Sequence, residues 1–438
     1  MKKEKNVKGR KIGKIILRIL GAVVAVIVLV AAVGAIVTVI GNKANTQLAE
    51  SFSAVENPGA VIPELDSDGN WTFSTDRDLK ILQLTDVHIG GGWMSIKKDA
   101  MAINAVASMV TAEKPDLVVI TGDIAFPVPF QAGTFNNLSS AKIFARLMET
   151  LGVYWIPVFG NHDTELYSYY SREDISKFYE SDELKYCLFK SGDGNIDGYG
   201  NSVINVKNTD GIITQSLFLL DSHSYTGGDF LGLLWKYDNI HQNQIDWYKT
   251  ESLKFSEQNN AVISSLYSSD SAEYKDATEK YGDVSSLLFF HIPLTEYKDA
   301  WTEYVDNGYE NTENVTYKYG LTGETGKVIY SGIGEDNLYE TMQELGGTKG
   351  IFCGHDHLNN FSLDYKGIRL TYGFSIDYLA YSGIYKLGAQ RGCTIITVHP
   401  DATFDCEASN YYQDKYQALS SNEKESVTMQ TYESDWVG

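Results

Sequence analysis

The segment Leu79-Lys80-Ile81-Leu82-Gln83-Leu84-Thr85-Asp86-Val87-His88 joins a short apolar run to two potential metal ligands. The apolar run predicts a β-strand over residues 79–84, which ends just before the aspartate and the histidine. The same arrangement recurs along the chain, where an apolar run is followed by Asp, Asn or His. Because loops at the carboxyl ends of strands in α/β folds converge on one face, residues distant in sequence can meet there. The pattern therefore predicts an α/β fold with a polar site at its strand ends.

Short apolar runs alternate with amphipathic stretches from Leu79 onward, which is typical of α/β proteins. The predicted strands are 79–84, 117–121, 154–159, 217–220, 287–290, 350–353, 368–372 and 394–398. Helical spacing of apolar residues predicts helices over 96–113, 139–151, 239–255 and 338–345. These elements predict one domain over residues 78–400.

The chain begins with a basic segment and a long uncharged run. Residues 1–18 hold eight Lys and Arg residues against the single acid Glu4, and the 23 residues 19–41 carry no charge. At about 1.5 Å of rise per residue, such a run crosses the roughly 30 Å hydrocarbon layer as one transmembrane helix. A cleaved signal peptide is the alternative, but its apolar region is only about 7–15 residues long. The basic flank predicts that residues 1–18 stay in the cytoplasm and that the rest of the chain lies outside the cell membrane.

Two polar segments flank the predicted domain. Residues 42–77 contain scattered Pro and Gly and are expected to form a stalk or linker, and residues 401–438 form an acidic C-terminal tail. Beyond residue 43 the chain has 27 Lys and Arg against 56 Asp and Glu, a formal charge of −29. Solubility alone accounts for that charge, which also repels nucleic-acid phosphates. No nucleic-acid binding is therefore expected.

Five motifs occur in order at predicted strand ends. They are Asp86-Val87-His88, Gly122-Asp123, Gly160-Asn161-His162-Asp163, His291 and Gly354-His355-Asp356-His357. Imidazole and carboxylate ligands together favour Mn, Fe, Zn, Co or Ni over Mg or Ca. Two metals are needed to use all of these groups, and one carboxylate, such as that of Asp123, can bridge ions about 3.5–4 Å apart.

This motif series resembles that of the calcineurin-like metallophosphoesterase superfamily, over roughly residues 79–400. The resemblance implies a four-layer α/β/β/α sandwich and two divalent or trivalent transition metal ions: Mn, Fe, Zn or a mixture. It implies that water held between the metals attacks phosphorus, and that the family's catalytic histidine, here His162, protonates the leaving oxygen without binding metal. The implied ligands are Asp86, His88 and His357 for the first metal, Asn161, His291 and His355 for the second, and Asp123 for both.

Further motifs are similar to those of phosphatases related to purple acid phosphatases, among them His291-Ile292-Pro293-Leu294 and Tyr372-Gly373. In true purple acid phosphatases the sequence reads G-D-x-x-Y, and the tyrosine binds iron. Here Gly122-Asp123-Ile124-Ala125-Phe126 places a phenylalanine at that position, while His88 supplies a nitrogen ligand. A purple iron–tyrosinate centre is therefore not expected.

The function expected from the sequence is that of a membrane-anchored phosphoesterase that hydrolyses phosphate esters. A phosphodiesterase acting on a nucleotide, a lipid or an envelope polymer is an alternative. An alternative of another class is a non-catalytic, membrane-tethered envelope-binding module. Asp163 has two candidate roles in either enzyme, since it either orients His162 or caps a following helix.

Overall fold

Two β-sheets lie at the centre of the fold. The computed structural model describes residues 2–229, 232–334, 336–381, 384, 391–412 and 415–416. Among these, one sheet has five strands in the order β14 (Phe404–Asn410), β13 (Gly392–Val398), β3 (Leu79–Leu84), β4 (Leu117–Thr121) and β5 (Tyr154–Val158). The other has nine, in the order β1 (Glu64–Leu65), β2 (Trp71–Ser74), β6 (Ser202–Lys207), β7 (Ile213–Leu219), β8 (Ser286–Phe289), β10 (Thr348–Cys353), β12 (Ile368–Tyr372), β11 (Ser362–Tyr365) and β9 (Val315–Tyr319).

The two sheets pack face to face through their apolar side chains. Strands β3, β4 and β5 are parallel to one another, and so are β7, β8, β10 and β12. Alternate residues of a strand point to opposite faces, so each strand supplies one set of side chains to the space between the sheets. That space is filled by one buried cluster, which includes Ile81, Val119, Leu217, Phe289 and Phe352.

Helices cover both outer faces of the sheet pair. The helices α2 (Ile96–Glu113), α3 (Asn137–Leu151) and α4 (Arg172–Tyr179) pack on the five-stranded sheet. The helices α5 (Gln242–Leu266), α7 (Thr295–Asp306) and α8 (Leu338–Leu345) pack on the nine-stranded sheet, and α6 (Ala272–Tyr281) packs on α5. The layers are therefore α/β/β/α, which confirms the predicted fold class.

The first helix, α1 (Lys2–Glu50), continues from the apolar run into the domain. Among the described residues one helix, over Gly13–Glu50, is long and apolar enough to cross a membrane by length and composition. Its residues 13–33 are exposed all round, whereas Gly34, Gly41, Asn45 and Ala49 are buried. These residues are seven, four and four positions apart, which places them on one helical face. One face of the second half of α1 therefore packs against the domain.

Two of the predicted segment boundaries need correction. Residues 42–77 are not only a stalk, because they begin within α1 and include β2, which pairs in parallel with β6 and buries Phe73 completely. The predicted tail contributes β14, which pairs with β13, and its Tyr411 is buried. β2 has only four residues and β14 lies at the edge of its sheet, and both are held by pairing with strands that are distant in sequence, which no local pattern shows. Residues 413–414 and 417–438 of the predicted tail lie outside the described residues.

Candidate metal centre

The predicted motifs lie together at the carboxyl ends of five strands. Parallel strands end at a common edge of their sheet, and the two packed sheets bring these edges side by side. All seven predicted ligands are buried, and they follow β3 (Asp86, His88), β4 (Asp123), β5 (Asn161), β8 (His291) and β10 (His355, His357).

The first group of side chains consists of Asp86, His88, Asp123 and His357. One potential ligand atom of each lies within 4.8 Å of those of the other three. The Nε2 atom of His88 lies 3.3 Å from Oδ2 of Asp123, and Nε2 of His357 lies 3.5 Å from Oδ1 of Asp86. That Asp86 oxygen is buried without a hydrogen-bond partner among the described residues. Two carboxylates and two imidazoles at these distances fit a single transition metal ion.

The second group shares Asp123 with the first. The Nε2 atom of His291 lies 3.2 Å from Oδ2 of Asp123 and 3.1 Å from Oδ1 of Asn161. The Nδ1 atom of His355 lies 3.3 Å from the same His291 nitrogen. One Asp123 oxygen thus contacts an imidazole from each group, which is the position that a bridging carboxylate requires. The donor set fits two metal ions.

Four of these residues have unusual backbone conformations. The φ angles of Asp86, His88, Asp123 and His355 are 50°, 51°, 55° and 76°. Residues other than glycine rarely adopt this left-handed region, and such strain is concentrated at functional sites. Gly160 is required for a different reason, because a Cβ atom there would collide with the Asp123 carboxylate.

The buried charges of the two groups shift each other's pKa values. Burial opposes the charged form of His88, but the carboxylates of Asp377 and Asp123 outweigh it and raise its pKa to about 10. Burial also opposes protonation of His291, yet Asp123 raises its pKa to about 9. Burial and the neighbouring His291 together hold the pKa of His355 well below its usual range. A cation that binds to His88 or His291 must therefore displace a proton.

Asp377 is a buried carboxylate that the sequence analysis did not identify. Its Oδ1 lies 3.3 Å from Nδ1 of His88, and its Oδ2 lies 3.2 Å from Nδ1 of His357. These are the ring nitrogens that do not point into the first group. Carboxylates in this position orient metal-binding imidazoles and fix their tautomer. The only sequence signal was a lone acid within an otherwise apolar stretch.

His162 lies beside the first group. Its ring centroid is 5.5 Å from that of His88 and 4.7 Å from that of Phe126. Its Nδ1 lies 2.6 Å from Oε1 of Glu165, and its backbone N–H donates to Oδ1 of Asp123 over 2.8 Å. Glu165, which the sequence analysis did not single out, therefore orients the His162 ring.

Asp163 has neither of the two roles that the sequence suggested. Its carboxylate accepts backbone hydrogen bonds from Gly160 over 2.8 Å, Asp123 over 3.0 Å and Ala125 over 2.8 Å. The next helix, α4, is instead capped by Ser171. Asp163 ties together the loops after β4 and β5, and so sets the position of Asp123.

A cavity of about 390 Å³ adjoins both groups and is lined by His162, Asp123, His355 and His357. Aromatic residues form much of its wall: Phe126, Tyr225, Trp235, Tyr237, Tyr330 and Tyr381. They also contact the site directly, since the Phe126 ring stacks on His88 with centroids 4.4 Å apart. The described residues that line the cavity include no Lys or Arg.

Residues 79–359 match the family described as calcineurin-like phosphoesterase. The Arabidopsis thaliana protein "Probable inactive purple acid phosphatase 29" is 25% identical over 343 residues, covering 74% of this chain and 78% of the relative. "Probable inactive purple acid phosphatase 14" from the same plant is 28% identical over 332 residues, covering 71% and 74%. "Phosphatase DCR2" from Saccharomyces cerevisiae is 28% identical over 304 residues, which cover 65% of this chain but only 45% of that protein.

Proposed function

Since this chain belongs to the calcineurin-like phosphoesterase family, we propose that it is an active, two-metal phosphoesterase. The observation that carries the proposal is the position of Asp123. Its Oδ2 lies 3.3 Å from Nε2 of His88 and 3.2 Å from Nε2 of His291, between the two groups of donors. A single-metal or purely structural site would not need a shared carboxylate at this position.

The proposed ligands are those predicted from the sequence: Asp86, His88 and His357 for the first metal, Asn161, His291 and His355 for the second, and Asp123 for both. Two bound ions would activate water for attack on phosphorus and offset charge on the phosphoryl oxygens. The donor set suits Mn, Fe, Zn or a mixture of them. Phe126, stacked on His88, provides no oxygen ligand, which supports a centre without iron–tyrosinate chemistry.

His162 is proposed as the general acid. It lines the cavity, and its contact with Glu165 at Nδ1 holds the ring in one orientation and leaves Nε2 for the substrate. A histidine placed in this way can protonate the leaving oxygen, which is usually worth about 10²–10⁴-fold in rate. Glu165 acts through His162, and we propose it as a positioning residue.

The two plant relatives are named as probable inactive phosphatases, which favours a second candidate without catalytic activity. That candidate is the membrane-tethered binding protein. Elemental analysis of the purified full chain, with assays on an aryl phosphate monoester and an aryl phosphate diester, separates the two. We expect two metals per chain and hydrolysis of at least one ester. Asp123→Asn should abolish both metal binding and hydrolysis, and the matched variant of an exposed acid, Asp405→Asn, should retain them.

Two bound metals without hydrolysis of either ester would instead support the binding protein. The ratio of diester to monoester turnover tests the phosphodiesterase alternative.

We further propose that α1 crosses the cell membrane over residues 19–41 and that the catalytic domain lies outside the cytoplasm. The support is the basic flank of residues 1–18 and the full exposure of residues 13–33. Protease added to intact cells should digest the domain. Digestion only after the membrane is permeabilised would contradict this orientation.

A further inference from the structure

The loop that follows the first metal-binding motif is attached to α1. The Trp93 ring lies so close to Gly34 that a Cβ atom there would be 3.0 Å from its Nε1. The Asn42 side chain donates to the carbonyl of Gly91 over 2.9 Å, and that of Asn45 donates to the carbonyl of Ile96 over 3.2 Å. Gly34 lies seven residues, or about 10 Å of helix, inside the outer end of the proposed membrane span, so this loop meets the outer leaflet of the bilayer.

The wall of the cavity is close to the same loop. The backbone N–H of Met94 donates to the carbonyl of Ala132 over 3.1 Å, and Gly133 packs against the Trp93 ring. Gln131, which lines the cavity, is two residues from Gly133 and therefore at most about 7 Å from it along the chain. The cavity and the membrane helix thus lie on the same side of the domain.

Three separate loops beside the cavity carry exposed apolar side chains, which we call the apolar rim: Phe130, Leu166 and Leu234. Their exposed fractions are 88%, 83% and 54%. Phe130 precedes the cavity residue Gln131, Leu166 follows Glu165, and Leu234 precedes the cavity residue Trp235. Single exposed apolar residues are ordinary on protein surfaces, so what distinguishes these three is that each adjoins a residue that lines the cavity or contacts His162.

We propose that the apolar rim inserts into the membrane interface and that the substrate is the phosphate ester of a membrane lipid. This proposal rests on the phosphoesterase function and narrows its substrate class. Charge does not favour a soluble polyanion, because the chain beyond residue 43 carries −29 and the described cavity lining has no Lys or Arg. The aromatic wall suits the uncharged part of an amphiphile, whose hydrocarbon chains remain in the bilayer.

The reaction on a phosphatidate would break the bond between phosphorus and the glycerol oxygen. Water supplies the oxygen that replaces it on phosphorus, the glycerol oxygen takes a proton from His162, and a proton that the water gives up restores His162. The products are inorganic phosphate and a diacylglycerol that stays in the membrane.

The test uses the full chain in phosphatidylcholine vesicles that contain a minor fraction of dioleoyl phosphatidate. We expect kcat/KM for phosphatidate to exceed that for glycerol 3-phosphate by about tenfold or more, because the membrane presents the lipid to the cavity.

In the triple variant Phe130→Ser/Leu166→Ser/Leu234→Ser the ratio of phosphatidate to aryl phosphate turnover should fall about tenfold. Three exposed apolar residues away from the cavity provide the matched control, Ile62→Ser/Leu253→Ser/Leu266→Ser, in which the ratio should not change. Equal turnover of phosphatidate and glycerol 3-phosphate, or an unchanged ratio in the rim variant, would overturn the proposal.

A second measurement does not depend on turnover. Brominated phosphatidylcholine should quench the fluorescence of Trp235, so Trp235→Phe should remove part of the quenchable emission. Quenching that is the same in parent and variant would overturn insertion of the rim. Quenching of Trp235 without hydrolysis of any ester would support the inserted rim but refute the phosphoesterase function.

Discussion

Replacing Asp377 with asparagine should weaken the first metal site and leave the second intact. In the structure Oδ1 of Asp377 accepts from the backbone N–H of Leu379 and Ala380 over 2.7 and 2.8 Å and lies near His88. Oδ2 accepts from the N–H of Tyr381 over 2.6 Å and lies 3.2 Å from Nδ1 of His357. An asparagine that keeps its oxygen at the Oδ1 position must place its NH₂ group at the Oδ2 position. There the NH₂ group faces two other donors, the N–H of Tyr381 and Nδ1 of His357.

The expected loss follows from that mismatch. Removing a carboxylate that orients a metal-binding imidazole typically costs about 10–100-fold in metal affinity, or roughly 1.4–2.7 kcal/mol. The described contacts of Asp377 with ligand imidazoles are to His88 and His357, both in the first group. The first metal site should therefore lose affinity, while the second site keeps it.

Titration of the metal-free full chain with Mn²⁺, followed by calorimetry, measures both sites. The control is Asp405→Asn, which changes an exposed acid far from these groups and should bind as the parent does. Two sites of parental affinity in Asp377→Asn, or an equal weakening of both, would refute the reasoning.

Three further predictions concern other residues. His162→Ala should keep both metals and lower kcat by about 10²–10⁴-fold, and metal loss measured by elemental analysis would contradict its role as a non-ligand. Glu165→Gln weakens the 2.6 Å contact with Nδ1 of His162, so kcat should fall by about tenfold with unchanged metal content, whereas reduced metal content would argue for a ligand role. Burial, with the nearby Asp336, raises the pKa of Glu296 to about 7 from an ordinary 4.5. The pKa of Glu296 is higher in the folded than in the unfolded chain, so the free energy of unfolding should fall as pH rises from about 4.5 to about 7. Glu296→Gln should be more stable than the parent by about 1 kcal/mol at pH 8 but not at pH 4, as measured by thermal unfolding.

The predictions from sequence succeeded where the local pattern was strong. The strands over residues 79–84, 117–121 and 368–372 and the helices over 96–113 and 338–345 have the predicted bounds. The strand β2, the strand β14 and the helix α7 were not predicted. They bury one face or lie at a sheet edge, and their stability comes from neighbours that are distant in sequence.

The motif residues illustrate both the reach and the limit of sequence. Asp86 and His88, or His355 and His357, are recognisable because ligand type and position at a strand end occur within a few residues. Asp377 follows the centre's last motif by 20 residues and has no pattern of its own. Its role exists only because the loop after β12 folds back over two imidazoles.

The sequence alone determined the alternation of strands and helices, the candidate membrane helix and the set of candidate ligands at the strand ends. These depend on short-range periodicity, on run length and on ligand chemistry, all of which are written locally in the chain. Only the tertiary structure decided that one Asp123 oxygen lies between both groups and that Asp377 orients the imidazoles of His88 and His357. Each of those facts is a distance between side chains far apart in sequence, and such distances are set by how the two sheets and their loops pack.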